Sequence, residues 1–203
     1  MDIITKLADI FSTFPGIGKR QSKRFVYHLL LQDKKFIDNF IASVTELKKE
    51  IAVCAECQRF FVGRETEKHI CTLCADSQRD TGALMLVEKD IDLENIEKSG
   101  AYKGKYFVLG GVVPILEENP EEKIRADALV KIVEKRKPKE IILALSANPE
   151  GENTALFVQK ILASLQKKLD FTLSAFGRGL STGTELEYSD ADTIKNALVN
   201  RTK

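Results

Sequence analysis

The sequence predicts a multidomain α/β protein, and three changes of texture along its 203 residues support that prediction. Residues 1–52 carry apolar side chains at helical spacing, whereas residues 53–78 are polar and contain the cysteines. Residues 79–176 contain short apolar runs separated by amphipathic stretches, a pattern typical of a parallel sheet covered by helices. Residues 177–203 are expected to add a helical carboxy-terminal segment.

The composition is that of a folded chain, with 43% hydrophobic and 30% charged residues. The formal net charge is +1, so any attraction to nucleic acid must come from local patches. No segment reaches 18 uncharged apolar residues, and the amino terminus lacks the pattern of a signal peptide. We therefore expect a cytoplasmic protein without membrane association, in a compartment that keeps thiols reduced.

A sharp turn, FPGIGKRQSKR at residues 14–24, interrupts the amino-terminal helical pattern. Pro15 pre-sets the turn, and Gly16 and Gly18 permit backbone conformations with positive φ and let another chain approach closely. Apolar residues at helical spacing lie on both sides. The sequence therefore predicts a helix-hairpin-helix.

The residues after the turn are suited to holding a backbone phosphate. Unpaired amides and the positive dipole end open the second helix, beside two i,i+4 pairs of cations. The alternative is a tight turn between core helices with a solvated basic face. His28 is expected to be buried or half-buried. The candidate DNA-binding residues are Gly16, Ile17, Gly18, Lys19, Arg20, Lys23 and Arg24.

The four cysteines form two CxxC pairs, Cys54-x2-Cys57 and Cys71-x2-Cys74, separated by thirteen residues. This spacing predicts one structural Zn²⁺ ion per chain, held by four thiolates. Disulfides are the main alternative, which a reducing compartment disfavours, and a rubredoxin-like iron site is another. His69 could compete as a ligand, but four cysteines leave it no vacancy.

Short apolar runs predict the strands of the α/β part, at residues 84–87, 106–109 and 141–145. A helix is predicted to begin with Asn119 as N-cap and Pro120 at its first position, and to end in the sequence KRKP. A second helix is predicted from about Thr154 to Leu169. These alternating elements imply parallel strands with helices on the faces of the sheet.

Acidic residues follow two of the predicted strands. Glu88 ends the first strand, and Glu150 and Glu152 follow the run at 141–145. The carboxyl ends of neighbouring parallel strands meet at one edge of a sheet, where two or three carboxylates can hold Mg²⁺ for phosphoryl transfer. The alternative is a set of solvated acids in loops.

In order along nearly the whole chain, these blocks resemble the bacterial recombination mediator family RecR. The amino-terminal turn resembles its helix-hairpin-helix, and CAEC with CTLC resembles its zinc finger at residues 53–78. Residues 79–176 resemble its Toprim domain. The matching blocks are FPGIGKRQSKRFVYHLL, DSQRDTGALMLVE, GAYKGKYFVLGG, EGENTA and GRGLSTGTELEYSD.

The resemblance implies a DNA-binding adaptor rather than an enzyme. RecR proteins act with RecO, and in some pathways RecF, to load RecA on single-stranded DNA covered by SSB. They form homo-dimers and ring-like homo-tetramers, with pairing contacts in the hairpin region and in the segment corresponding to residues 177–203. The family places basic DNA contacts at Arg20 and Arg24, whereas Lys19 and Lys23 stand where cations are not typical. A nucleoid-associated cytoplasmic location is expected.

One departure concerns the catalytic pattern of Toprim enzymes, a glutamate with D-x-D-x-x-G. Here the second part reads Ser146-x-Asn148-x-x-Gly151, so both aspartates are replaced, and the Asn-Pro dipeptide lies two residues later than the family usually has it. Glu88 and Glu150 are therefore expected to belong to a partner-binding face that meets RecO. The alternatives are an Mg²⁺-dependent Toprim nuclease, primase or topoisomerase, and a zinc-stabilised scaffold that contacts only protein.

Overall fold

The computed structural model describes residues 2–63, 69–180, 183 and 185–201. They belong to two compact units, Met1–Ile51 and Ala52–Lys203. The cysteine-bearing segment predicted at residues 53–78 therefore lies in the same unit as the parallel sheet. Among the described helices, none has the length and apolar character needed to cross a membrane.

The first unit consists of three helices, α1 (Ile3–Ser12), α2 (Lys19–Leu30) and α3 (Lys34–Glu50). Aspartates begin two of them: Asp2 accepts from the Thr5 amide at 2.9 Å, and Asp33 caps α3 in the same way. Helices α1 and α2 pack together, with Ala8 and Val26 buried between them. The predicted helix-hairpin-helix is therefore present.

Helix α3 leaves its apolar side uncovered in the described structure. None of its side chains is buried, although its sequence has the apolar spacing of an amphipathic helix. Phe40 and Ile41 are 42% and 58% exposed. They line an apolar groove of about 510 Å³ together with residues of α1 and α2. His28, predicted to be buried or half-buried, is exposed because α3 meets it only with an edge contact from Phe36.

The second unit contains the remaining elements, with β1 beginning at its boundary: β1 (Ile51–Val53), β2 (Phe60–Val62), α4 (Thr72–Ala75), β3 (Asp80–Val87), α5 (Asp90–Ser99), β4 (Gly104–Val108), α6 (Ala126–Arg136), β5 (Glu140–Ala144), α7 (Pro149–Leu169), β6 (Thr172–Ala175) and α8 (Ala191–Val199). It is built on a parallel sheet with the strand order β4-β3-β5-β6. Val87 of β3 pairs with Val108 of β4 on one side and with Ala144 of β5 on the other.

Successive side chains of β3 enter opposite cores, as the period of a strand requires. Leu84 and Leu86 join the cluster formed with α6 and α7. Met85 and Val87 join a second cluster that includes Leu93 of α5 and receives Leu73 from the cysteine-bearing segment. That segment is therefore part of the packing on one face of the sheet.

Two predicted helix starts differ from the structure. Pro120 opens only a short 3-10 turn, and α6 begins at Ala126, because the Arg125 amide donates to the Leu109 carbonyl at 2.8 Å. This bond joins the chain to the end of β4 where a continuous helix was expected. Helix α7 begins at Pro149 rather than near Thr154, with Asn148 as its N-cap.

Candidate metal centre and nucleic-acid interface

The four predicted cysteine ligands lie together in the second unit. Their sulfurs are all within 4.8 Å of one another, and Cys57 Sγ is 3.5 Å from Cys71 Sγ. This separation is too long for a disulfide, and all four cysteines are free. A tetrahedral zinc site with Zn–S bonds of about 2.3 Å has sulfur–sulfur edges of about 3.8 Å. The four thiols therefore fit a closed tetrahedral metal site.

Local backbone geometry turns the first pair of cysteines inward. The Gln58 amide donates to the Cys54 carbonyl at 3.0 Å, and Gln58 has a φ of +62°, which closes the loop tightly. The Cys71 amide donates to Cys54 Sγ at 3.4 Å and so joins the two pairs. His69 is exposed and lies outside the ligand group. The two pairs of thiols thus reach one point from loops separated in sequence.

The cysteine thiols influence one another strongly. Hydrogen bonds from Cys57 and Cys71 lower the pKa of the Cys54 thiol, while the pKa of Cys57 is raised by the same cluster, chiefly through Cys54. The four sulfurs therefore share protons through hydrogen bonds between them. Because metal ligands must be thiolates, a bound cation takes the place of those protons.

Two cations, one buried and one partly buried, attach the cysteine-bearing segment to the sheet. Lys105 of β4 is 5% exposed, and its Nζ donates to the carbonyls of Leu73, Cys74 and Asp76 at 3.1, 3.0 and 2.7 Å, around the end of α4. Arg125 donates to the Gln58 carbonyl at 2.6 Å. These groups satisfy backbone acceptors that burial would otherwise leave unpaired.

The backbone adds a direct link between the two parts. The Val108 amide, at the end of β4, donates to the Cys57 carbonyl at 2.8 Å. The cysteine cluster is therefore joined to the sheet by main-chain and side-chain contacts together.

One of the two hairpin glycines adopts the positive φ that glycine permits. Gly16 has a φ of +76°, and the Ile17 amide donates to the Phe14 carbonyl at 3.0 Å. Gly18 has a φ of −83°, which any residue can adopt. It serves as the N-cap of α2, a position that requires extended backbone.

The start of α2 is open and positively charged. No side chain caps it, and a Cβ placed on Gly16 or Gly18 would meet nothing within 4 Å. The four predicted cations, Lys19, Arg20, Lys23 and Arg24, are exposed, and none pairs with a carboxylate among the described residues. The start of α2 therefore combines uncapped amides, unobstructed space beside the backbone, and cations that no described carboxylate neutralises.

The acidic residues at the sheet edge have separate environments. Glu88 is 5% exposed, and its two carboxylate oxygens accept from the amide and hydroxyl of Ser146 at 2.6 and 3.0 Å. Glu150 is exposed in the first turn of α7, and Glu152 pairs with Arg178 at 2.6 Å. They do not form a group close enough to share a metal ion. The four cysteines are the one such group among the described residues.

Sequence reasoning missed the residues that hold Glu88 and the cysteine-bearing segment in position through hydrogen bonds. Ser146 was noted only as a replacement for an aspartate, yet it binds Glu88. Lys105 directly precedes the apolar run YFVL at residues 106–109, and a lysine at the start of a buried strand is a signal that it needs several acceptors. Arg125 carries no such signal, because its acceptors come from distant parts of the chain.

Comparisons with known proteins agree with this architecture. Residues 82–174 match the family model described as the Toprim domain. Recombination protein RecR of Staphylococcus saprophyticus is 34% identical, with 98% of this chain and 96% of that protein covered. Recombination protein RecR of Bacteroides thetaiotaomicron is 35% identical, with coverage of 98% and 93%. The protein of the same name from Lactobacillus helveticus is 32% identical, with coverage of 98% and 96%.

We predict that Gly151→Ala destabilises the second unit by about 1–3 kcal/mol. A Cβ at this position would lie 2.0 Å from the Ser146 carbonyl oxygen, so the loop held by Glu88 must move. Gly177→Ala is the matched control, because nothing lies within 4 Å of a Cβ there. Denaturant unfolding measures both free energies. Equal stability of the two variants would contradict the close packing of this loop.

Proposed function

This chain belongs to the RecR family, and we propose that it is a non-catalytic DNA-binding adaptor of recombinational DNA repair. The observation that carries the proposal is the open, cationic start of α2. The adaptor would act with RecO, and with RecF where that protein takes part, to promote RecA loading on SSB-covered single-stranded DNA. Its place of action is the cytoplasm, at the nucleoid.

The hairpin supports phosphate binding through three features together. The first amides of α2 have no cap, the helix dipole is positive at that end, and four cations surround it. The absence of a Cβ at Gly16 and Gly18 lets a sugar-phosphate chain approach the backbone. Such contacts position DNA without reading its sequence, which suits a protein that acts at many sites.

The sheet edge supports partner binding better than catalysis. A Mg²⁺ site for phosphoryl transfer needs converging carboxylates, but Ser146 occupies the carboxylate of Glu88, and Asn148 caps α7. We propose that Glu150 presents charge to a protein such as RecO. Glu88 is buried, so its part in that face is to hold the loop in shape.

We propose that the metal is Zn²⁺, one ion per chain, bound by Cys54, Cys57, Cys71 and Cys74. Four thiolates with tetrahedral spacing favour zinc over harder cations such as Mg²⁺. All four positions are filled by protein, so the ion would stabilise the fold rather than supply a reactive site.

We propose that the apolar groove of the first unit binds a second copy of this chain, and that residues 177–203 provide a further contact, giving a homo-dimer or a ring-like homo-tetramer. The unit has 51 residues and buries few side chains, too few for an independent core. Leu30 and Ile41, on facing helices, are 64% and 58% exposed in the groove. Self-association covers such a face symmetrically.

Reversing the charge of two hairpin arginines should abolish DNA binding. For the parent chain, a plot of the logarithm of the DNA association constant against the logarithm of the salt concentration should have a slope of about −3 to −4, if about four phosphates are neutralised. Arg20→Glu with Arg24→Glu removes two of these contacts and adds repulsion. Fluorescence anisotropy with a labelled single-stranded oligonucleotide measures both effects.

The matched control for this test is Lys34→Glu with Lys35→Glu. These exposed lysines start α3, beyond the far end of α2, which is about 18 Å long. The control makes the same charge change and should retain most of the parent affinity. Equal loss in both variants, or no loss in either folded variant, would refute the hairpin as the DNA site.

Purified protein should contain about one zinc ion per chain by elemental analysis. Cys57→Ser removes a buried ligand, so it should lower the zinc content to near zero and loosen residues 52–78. Limited proteolysis with and without added zinc reports the loosening. A stable, protease-resistant parent chain with four free thiols and no metal would contradict the metal assignment.

Placing a charge in the apolar groove should reduce the size of the assembly. Ile41→Glu buries a carboxylate if a second copy covers the groove, whereas Ala42→Glu on the same helix lies outside the groove lining. Light scattering should show a smaller particle for Ile41→Glu and the parent mass for Ala42→Glu. If both variants keep the parent mass, the groove is not where copies meet.

A further inference from the structure

Arg136 reaches the sulfur of one proposed metal ligand. Its Nη2 lies 3.4 Å from Cys74 Sγ and 2.5 Å from Glu56 Oε2. Arg136 is the last residue of α6, and its side chain is only 11% exposed. The guanidinium is therefore shared between a thiol and a carboxylate of the cysteine-bearing segment.

Cys74 is the least buried residue of the four. Cys54, Cys57 and Cys71 are almost completely buried, whereas Cys74 is only partly buried. The guanidinium of Arg136 lies against Cys74 and so covers part of this residue.

The charge of Arg136 also matches what the centre requires. Zinc with four thiolates carries two net negative charges, which a buried site must stabilise. A guanidinium stays charged at any ordinary pH. Its second nitrogen, Nη1, is buried and has no hydrogen-bond partner among the described residues. Burying that donor is costly unless a nearby anion offsets it, and an anionic metal centre supplies such a charge.

We propose that Arg136 is a positioning residue of the metal centre: it donates an N–H···S hydrogen bond to Cys74 and slows release of the metal. The inference rests on the metal centre assigned under the proposed function. Glu56 holds the guanidinium in place from its other side. Hydrogen-bonded groups around metal ligands typically contribute 10–100-fold to metal affinity.

Lys135 provides a close control. Its Nζ binds the other oxygen of Glu56 at 3.0 Å, but its side chain is 67% exposed, and no hydrogen bond among the described residues joins it to a cysteine sulfur. Removing Lys135 therefore disturbs the same ion-pair network and leaves the sulfur contact in place. Arg136→Met and Lys135→Met separate the two effects.

The experiment measures the rate of zinc transfer from the full chain to a chelating dye. Arg136→Met should release zinc at least tenfold faster than the parent, and Lys135→Met within about twofold of it. Cobalt-loaded protein gives a second readout, because losing a hydrogen bond to sulfur moves the sulfur-to-cobalt charge-transfer band to longer wavelength. The band should move in Arg136→Met and stay in Lys135→Met.

The possible outcomes distinguish the role of Arg136 from the existence of the metal centre. Equal release rates and unmoved bands in both variants would overturn the role of Arg136 while leaving the metal centre intact. A parent chain that binds neither zinc nor cobalt would overturn the metal centre itself. If Arg136→Met does not fold, Arg136→Gln, which is polar but uncharged and too short to place a donor where Nη2 lies, carries the same expectation of faster release and a moved band.

Discussion

Strand β3 is the element on which the arrangement of the second unit depends. It pairs in parallel with β4 and β5, and each face of the strand contributes to a different core cluster. The register that aligns Val87 with Ala144 also sets Glu88 beside Ser146. The pairing with β4 places Val108, whose amide binds the first cysteine pair. Strand β3 thus determines where Glu88 lies at the sheet edge and where the cysteine-bearing segment attaches.

The cysteine-bearing segment is held by the sheet as well as by its own four cysteines. A four-cysteine loop of this length has no core of its own, and metal binding ordinarily supplies its folding energy. Here Leu73 packs against the sheet, and Lys105 binds three carbonyls around the second cysteine pair. If the segment binds a metal as proposed, loss of the metal would also disturb β4, since the Cys57 carbonyl accepts from the Val108 amide of that strand.

The sequence predicted the features that local pattern controls and missed those that distant contacts control. The three predicted apolar runs became β3, β4 and β5, and the two CxxC pairs converge. The edge strand β6 was missed because four residues, half of them polar, carry too little periodicity. Asn119-Pro120 is a proper helix start by local chemistry, but the bond between Arg125 and Leu109 delays α6.

The same distinction applies within the sites. Cation spacing at 19–24 and cysteine spacing are local, so the candidate residues could be named in advance. The partner of Glu88 and the contact between Arg136 and Cys74 depend on how strands and helices meet, about which residue spacing carries no information. The exposure of His28 depends similarly on how little of α2 is covered by α3.

In the function proposed above, helix α2 connects DNA binding to self-association, because different turns of the helix serve each of them. Its first two turns carry the four hairpin cations, and its last two contribute Val26, Leu29 and Leu30 to the apolar groove. A second copy seated in the groove would leave the cationic end open. Two phosphate sites would then be held together, and two weak contacts joined in this way bind far more tightly than either alone. A small helical unit with little core of its own would gain stability and affinity for DNA from one and the same association.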